Sequence, residues 1–137
     1  VIPRLEVILP LPPSVNHSHR NIVLRSKRTG RRYTAQSPTR QCRSWRSTAG
    51  LLINRARGDV RWETIGRPAR VVVEVRYFWP DRRRRDTHNR VKELCDALQR
   101  SQVFEDDCQV VVRELGFEID RANGRLEIAV FVEDDAR

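Results

Sequence analysis

Trp79-Pro80-Asp81-Arg82-Arg83-Arg84-Arg85-Asp86-Thr87-His88-Asn89-Arg90-Val91-Lys92 is the stretch around which the chain is organised. Four consecutive arginines stop at a carboxylate, Asp86. Before them, Val71, Val73, Val75 and Tyr77 alternate with Val72, Glu74, Arg76 and Phe78, which predicts a strand over 70–79 that Pro80 ends. After them, Val91, Leu94, Cys95 and Leu98 recur at helical spacing, with Asp86 or Thr87 available as the cap. At about 100° per residue, Asn89, Lys92 and Asp96 fall together on a neighbouring face of that helix. A second acidic cluster, Glu105-Asp106-Asp107, follows, and residues 109–118 read as the next strand.

Working outward from this centre, Asn123-Gly124 signals a tight turn, and Leu126, Ile128, Val130 and Val132 alternate inward along 125–133. Those last two strands are expected to pair as an antiparallel hairpin. On the other side, Ser37-Pro38 reads as a helix cap with proline at the first position. Cys42, Trp45, Ala49, Leu52 and Ala56 then form a buried stripe on a helix ending near Gly58. Trp45 lies on that stripe, which favours a core role over a stacking platform for bases. Residues 25–33 read as a basic hairpin turning at Gly30, with arginines around Tyr33 suited to phosphates and an exposed base. Residues 4–9 alternate as a strand, Pro10, Pro12 and Pro13 end it, and a turn-rich loop with Asn16, His17 and His19 follows. The fold class expected is α+β: a single domain over 1–137, with a mixed or antiparallel sheet of about four or five strands and two main helices.

The chain of 137 residues carries a formal net charge of +9. Its sequence pI is about 10.8. Between Val7 and Gly58 there are ten arginines and one lysine and no acid. One-sided charge points to a polyanion such as nucleic acid; the plainer reading is a merely soluble basic surface. Cys42, Cys95 and Cys108 lack metal-finger spacing and fit reduced thiols in a cytoplasm. No signal-peptide layout and no membrane-length apolar run is present, so no membrane partner is expected.

Carboxylates set in a cationic surface imply a divalent metal held against a phosphodiester. Hard cations take oxygen ligands, so Asp86 and Asp107 are the leading ligand candidates, with Asp106 behind them. Asp86 opens the helix and Asp107 follows it, so the intervening loop must fold back for the two to meet. Lysine is scarce, only Lys27 and Lys92 against 25 arginines. A compact ammonium at Lys92 suits one phosphate oxygen or a leaving group. Each feature has an ordinary alternative: Asp86 as a cap, Asp106-Asp107 as a solvated turn, Lys92 as a surface residue, the arginine run as a packing face. Together with the acid-free basic half, they favour a metal-dependent nuclease.

At these residues the chain resembles the RusA family of Holliday junction resolvases, small endonucleases common in phages and prophages. The resemblance runs through Leu9-Pro10-Leu11-Pro12-Pro13-Ser14-Val15-Asn16 with Arg20, then Pro80 to Asp86, then Asn89, Lys92, Asp96-Ala97-Leu98 and Asp106-Asp107-Cys108-Gln109-Val110. It implies a homodimer that grips a four-way DNA junction and cuts it in a Mg²⁺-dependent reaction. Asp86, Asp107 and Lys92 would be catalytic. Arg20, Lys27, Arg28, Arg31, Arg32, Arg82, Arg83, Arg84, Arg85 and Asn89 are the residues expected on DNA. Better-known members carry Asp-x-Asp-Asn where this chain has Asp86-Thr87-His88-Asn89. His88 as a ligand would shift the preference from Mg²⁺ toward Mn²⁺. It also keeps open a second reading, a branched-DNA-binding protein that kept the fold and lost cleavage.

Overall fold

In chain order the elements are β1 (Arg4–Leu9), β2 (His19–Arg25), β3 (Arg32–Pro38), α1 (Arg40–Val60), β4 (Val71–Trp79), α2 (His88–Arg100), a 3₁₀ turn (Asp107–Gln109), β5 (Val110–Ile119) and β6 (Arg125–Val132). This computed structural model describes residues 3–13, 19–85 and 87–133, the side chains of His19 and Asn89 excepted. The expected α+β class is the one adopted. A mixed four-stranded sheet runs in the order β1-β6-β4-β5, and β2 and β3 form a separate two-stranded ribbon. Among the described residues no helix is long and apolar enough to cross a membrane.

The valine-rich run sits at the centre of the sheet. β4 pairs parallel with β5 on one side and antiparallel with β6 on the other. The hairpin expected between β5 and β6 is therefore not formed. Asp120 Oδ1 does accept the N–H groups of Ala122 and Asn123 (3.2 Å each). The chain nevertheless steps over the end of β4, and β6 joins the far side. A strand apolar on both faces gains most from the middle of a sheet, and that non-local gain outweighs the local turn preference. Gly124 serves this crossing by close approach: a Cβ there would lie 3.0 Å from Pro80 Cδ and 3.1 Å from Leu11 Cδ1.

Period-two alternation then separates two faces. Leu5, Val7 and Leu9 join Leu126, Ile128 and Val130, and Val71, Val73, Val75, Tyr77 and Trp79, in one core beneath both helices. The opposite face is roofed by ion pairs. Arg4 bridges Glu6 (2.9 Å) and Glu74 (3.4 Å), Arg113 meets Glu133 (3.3 Å), Arg76 meets Glu118 (3.6 Å), and Arg125 meets Asp120 (2.8 Å) and Glu127 (3.1 Å). Arg125 also lies 3.8 Å from the centre of the Phe78 ring and Arg4 5.2 Å from that of Phe131. This explains why Val72 and Phe78 are buried on the helix-free side.

The first helix starts later than the Ser37-Pro38 signal suggests. Those two residues end β3, and Thr39 is the cap, its hydroxyl accepting the Cys42 N–H (3.1 Å). The helix runs past Gly58 to Val60, where Arg61 takes the left-handed conformation (φ 52°). Its buried stripe is Cys42, Trp45, Ala49 and Ile53, with Leu52 and Ala56 half-buried beside it. Trp45 is core, as expected, and its indole N–H donates to the Pro10 carbonyl (2.9 Å). The basic hairpin is longer than residues 25–33: its strands extend from 19 to 38. Of the loop expected over 14–20, residues 14–18 lie outside the described residues, and Arg20 already belongs to β2.

Between the helices, Arg46 grips Glu93 with two hydrogen bonds (3.2 and 3.3 Å), and the Cys42 thiol meets the same carboxylate at 3.6 Å. Glu93 is only 2% exposed. This buried fork fixes the rotation of α2 about its axis. With Glu93 and Leu94 turned inward, the face carrying Lys92, Asp96 and Gln99 is set toward the 3₁₀ turn.

Candidate active site

The acidic turn after α2 is positioned by two segments that zip together. The Ile65 N–H donates to Val103 O (3.2 Å), and the Glu105 N–H donates back to Ile65 O (3.0 Å). The Trp62 indole N–H also donates to Val103 O (2.9 Å). Arg67 clasps the Glu105 carboxylate through its backbone N–H (2.8 Å) and its guanidinium (3.1 Å). Those two bonds hold the Glu105 carboxyl below the ordinary carboxylate range. Gln109 closes the frame from inside: its amide oxygen accepts the Asp106 N–H (3.0 Å), and its amide nitrogen donates to Ala69 O (2.8 Å) and Ile65 O (3.4 Å). Asp106 in turn accepts the Cys108 N–H (2.9 Å), which completes a capping box on a single turn.

Asp107 is thereby laid back along α2. Its N–H donates to Gln99 Oε1 (3.2 Å). Its carboxyl is raised above the ordinary value, first by the hydrogen bond it shares with Asp106, then by burial and by the charges of Asp106 and Asp96. The Lys92 ammonium pulls the other way. Asp106 is lowered instead, first by the Cys108 backbone N–H. The two adjacent carboxyls are thus pushed in opposite directions, Asp106 down and Asp107 up. Cys95 lies under this group, and burial pushes its thiol up to about 12, which makes it inert as a nucleophile at neutral pH.

The loop after α2 folds back along the helix; whether it meets Asp86 lies outside the described residues. Asp107 comes level with Asp96 and Gln99, while His88 is the first residue of the helix, two turns away. At ~1.5 Å per residue, His88 and Asp96 are about 12 Å apart along the axis. His88 and Lys92 are exposed. Asp86, the first predicted ligand, lies outside the described residues, as does the Asn89 side chain. Among the described residues no group of three or more His, Cys, Asp or Glu is arranged to hold a metal ion. Asp107 and Asp106 offer hard carboxylate oxygens, the donor type that suits Mg²⁺ or Mn²⁺.

The arginine run divides. Arg82, Arg83 and Arg84 are exposed. Arg85 turns inward, and its guanidinium donates to the Asp81 carboxylate and to the carbonyls of Asp81 (3.0 Å) and Arg83 (3.2 Å). It also lies 5.1 Å from the Trp79 ring centre, with Arg90 at 5.2 Å. Arg85 therefore braces the loop that presents its neighbours. In the ribbon, Arg20, Lys27, Arg28, Arg31 and Arg32 are all exposed.

A family model described as endodeoxyribonuclease RusA matches residues 10–131. The chain is also 30% identical over 125 residues to the crossover junction endodeoxyribonuclease RusA of Escherichia coli strain K12, and equally to those of the O1:K1 and O6:H1 strains; the match covers 90% of this chain and 91% of each relative. The chain belongs to the RusA family. The family match spans both acidic segments and the arginine run between β4 and α2. Within this RusA-family frame, three residues were not singled out as site residues from sequence: Asp96, Gln99 and Gln109. Asp96 was signalled by its helical spacing from Lys92, and Gln109 by the Asp-x-x-Gln box. Gln99 had no signal of its own, because its role depends on where Asp107 returns.

Proposed function

We propose that this protein is a nuclease that resolves Holliday junctions, built around Asp107, Lys92 and the arginine loop. The observation that carries the proposal is the return of Asp107 to the Lys92 face of α2, in a chain of the RusA endodeoxyribonuclease family. Asp107, Asp106 and Asp86 would hold the divalent ion, for which Mg²⁺ is the first choice. A bound cation of this kind polarises the phosphate and lowers the pKa of a water molecule. The chain's own residues do the rest. Exposed Arg82, Arg83 and Arg84 hold phosphates of the strand to be cut. Lys92 places a compact charge at the scissile phosphate, where negative charge grows as the leaving oxygen departs. Asp96 adds negative charge behind Asp107 and strengthens its hold on a cation. Cutting two symmetry-related strands of a four-way junction calls for two such sites, hence a homodimer.

The test is incubation of the protein with an end-labelled four-way junction, with and without Mg²⁺. Paired nicks are expected only with metal. Asp107→Asn and Asp86→Asn should each lower cleavage by at least about 100-fold. Both should leave junction binding intact, because the phosphate contacts belong to arginines. Cleavage by either variant at the wild-type rate would mean the ligands are assigned wrongly. Metal-independent binding with no cleavage in Mg²⁺ or Mn²⁺ would favour a non-catalytic binder.

A further inference from the structure

The β2–β3 ribbon joins no strand of the main sheet, and its two faces differ in chemistry. Register sets Ile22 opposite Ala35, Val23 opposite Thr34, Leu24 opposite Tyr33 and Arg25 opposite Arg32. Residues directly opposite one another share a face. One face therefore carries Ile22, Leu24, Tyr33 and Ala35, while the other carries Val23, Arg25, Arg32 and Thr34. On the apolar face Ile22 and Ala35 are half-buried, but toward the tip Leu24 is 39% and Tyr33 49% exposed.

Next to that exposed pair in the chain, the turn carries Lys27, Arg28 and Arg31, and the opposite face of the tip carries Arg25 and Arg32; among the described residues none of the five forms an ion pair with a carboxylate. The tip keeps its shape through its own bonds: the Ser26 N–H donates to Arg31 O and the Gly30 N–H to Ser26 O, both 2.9 Å, with Gly30 at φ 69°. A two-stranded ribbon alone in water is marginal. An apolar pair at a tip whose turn and opposite face carry unpaired cations asks for an occupant that is both apolar and anionic. A second copy of the ribbon would bring the same cations and be repelled. DNA offers both properties at once, base faces and phosphates.

We propose that this tip is the element that reads the branch point: Tyr33, backed by Leu24, lies against a base that has lost its stacking neighbour at the crossover, while Arg25, Arg28, Arg31 and Arg32 hold the flanking phosphates. Base pairs at a crossover expose faces that continuous duplex hides, so a stacking contact separates junction from duplex where phosphate contacts alone do not. This assignment rests on the Holliday junction reading above.

The experiment measures affinity of the full chain for a four-way junction and for linear duplex of the same arm sequence, in EDTA so that nothing is cut. The junction carries 2-aminopurine beside the crossover. Tyr33→Ala should weaken junction binding about tenfold, with Tyr33→Phe within about twofold of wild type. Duplex affinity and the salt dependence of binding should not change, since no charge is lost. The 2-aminopurine emission change seen with wild type and Tyr33→Phe should vanish with Tyr33→Ala. Neutralising Arg28, Arg31 and Arg32 together should instead weaken both substrates and flatten the salt slope. The wedge is overturned by Tyr33→Ala binding the junction as wild type does, by equal losses on both DNAs, or by a halved solution mass, which would make a second copy the occupant. Should wild type itself fail to prefer junction over duplex, the resolvase reading falls and the wedge with it. Preference retained by both wild type and Tyr33→Ala sinks the wedge alone.

Discussion

At the scale of single residues, the proposed mechanism asks Lys92 for charge and leaves coordination by His88 to experiment. Lys92 is one of two lysines in a chain of 25 arginines, and its ammonium acts on Asp107. Lys92→Ala should lower the single-turnover cleavage rate on the order of 100-fold without weakening junction binding. Lys92→Arg should recover only part of the loss, because a planar guanidinium cannot approach one oxygen as a compact ammonium does. Full activity in Lys92→Arg would reduce its role to bulk charge. His88 is where the choice of ion is tested. If its imidazole coordinates, Mn²⁺ supports faster cleavage than Mg²⁺, and metal affinity drops below about pH 6 as the ring protonates. His88→Asp then raises the Mg²⁺-supported rate. Equal rates with both ions in wild type and in His88→Asp remove His88 from the site.

At the scale of elements, the acidic turn depends on a glutamine more than on its own carboxylates. Gln109 satisfies three backbone groups, those of Asp106, Ala69 and Ile65. Gln109→Leu would leave the Asp106 N–H and the Ala69 carbonyl without that partner in a partly buried setting, at about 1–3 kcal/mol for each group left unpaired, while the Ile65 carbonyl keeps the Glu105 N–H. A lower melting temperature should accompany a loss of cleavage larger than the loss of folded protein. An unchanged melting curve would show that water or a relaxed turn replaces the side chain. This is also where sequence reading reached its limit. The β4 run and the α2 stripe were legible, because alternation and helical spacing are written in side chains. The frame of Trp62, Ile65 and Val103 was not, because it rests mostly on backbone hydrogen bonds between residues some forty positions apart. The false hairpin had the opposite cause. Asn123-Gly124 is a strong local signal, and the insertion of β4 between β5 and β6 is a non-local packing result that no local signal carries.

At the scale of the whole molecule, the length of α2 bears on how a complete metal site is assembled. Asp107 sits beside Asp96 and Gln99, and Thr87, the residue after Asp86, lies nine positions before Asp96. That is about 13 Å of helix, whereas two oxygens on one ion lie within about 5 Å of each other. A two-fold axis that set two copies of α2 antiparallel would bring the start of one to the Asp107 of the other. Mixed dimers of Asp86→Asn with Asp107→Asn should then regain one working site, nicking a junction once, where neither variant cuts alone. Mixed dimers as dead as their parents would put both aspartates of a site on one chain. The ion-paired face of the sheet has a further consequence. It spends the arginines of that face on carboxylates of the same face, while among the described residues the cations of the ribbon tip and Arg82 and Arg84 form no ion pair. A body whose free charge is gathered in patches is turned by the field of DNA before it touches, so fewer encounters are wasted on wrong orientations.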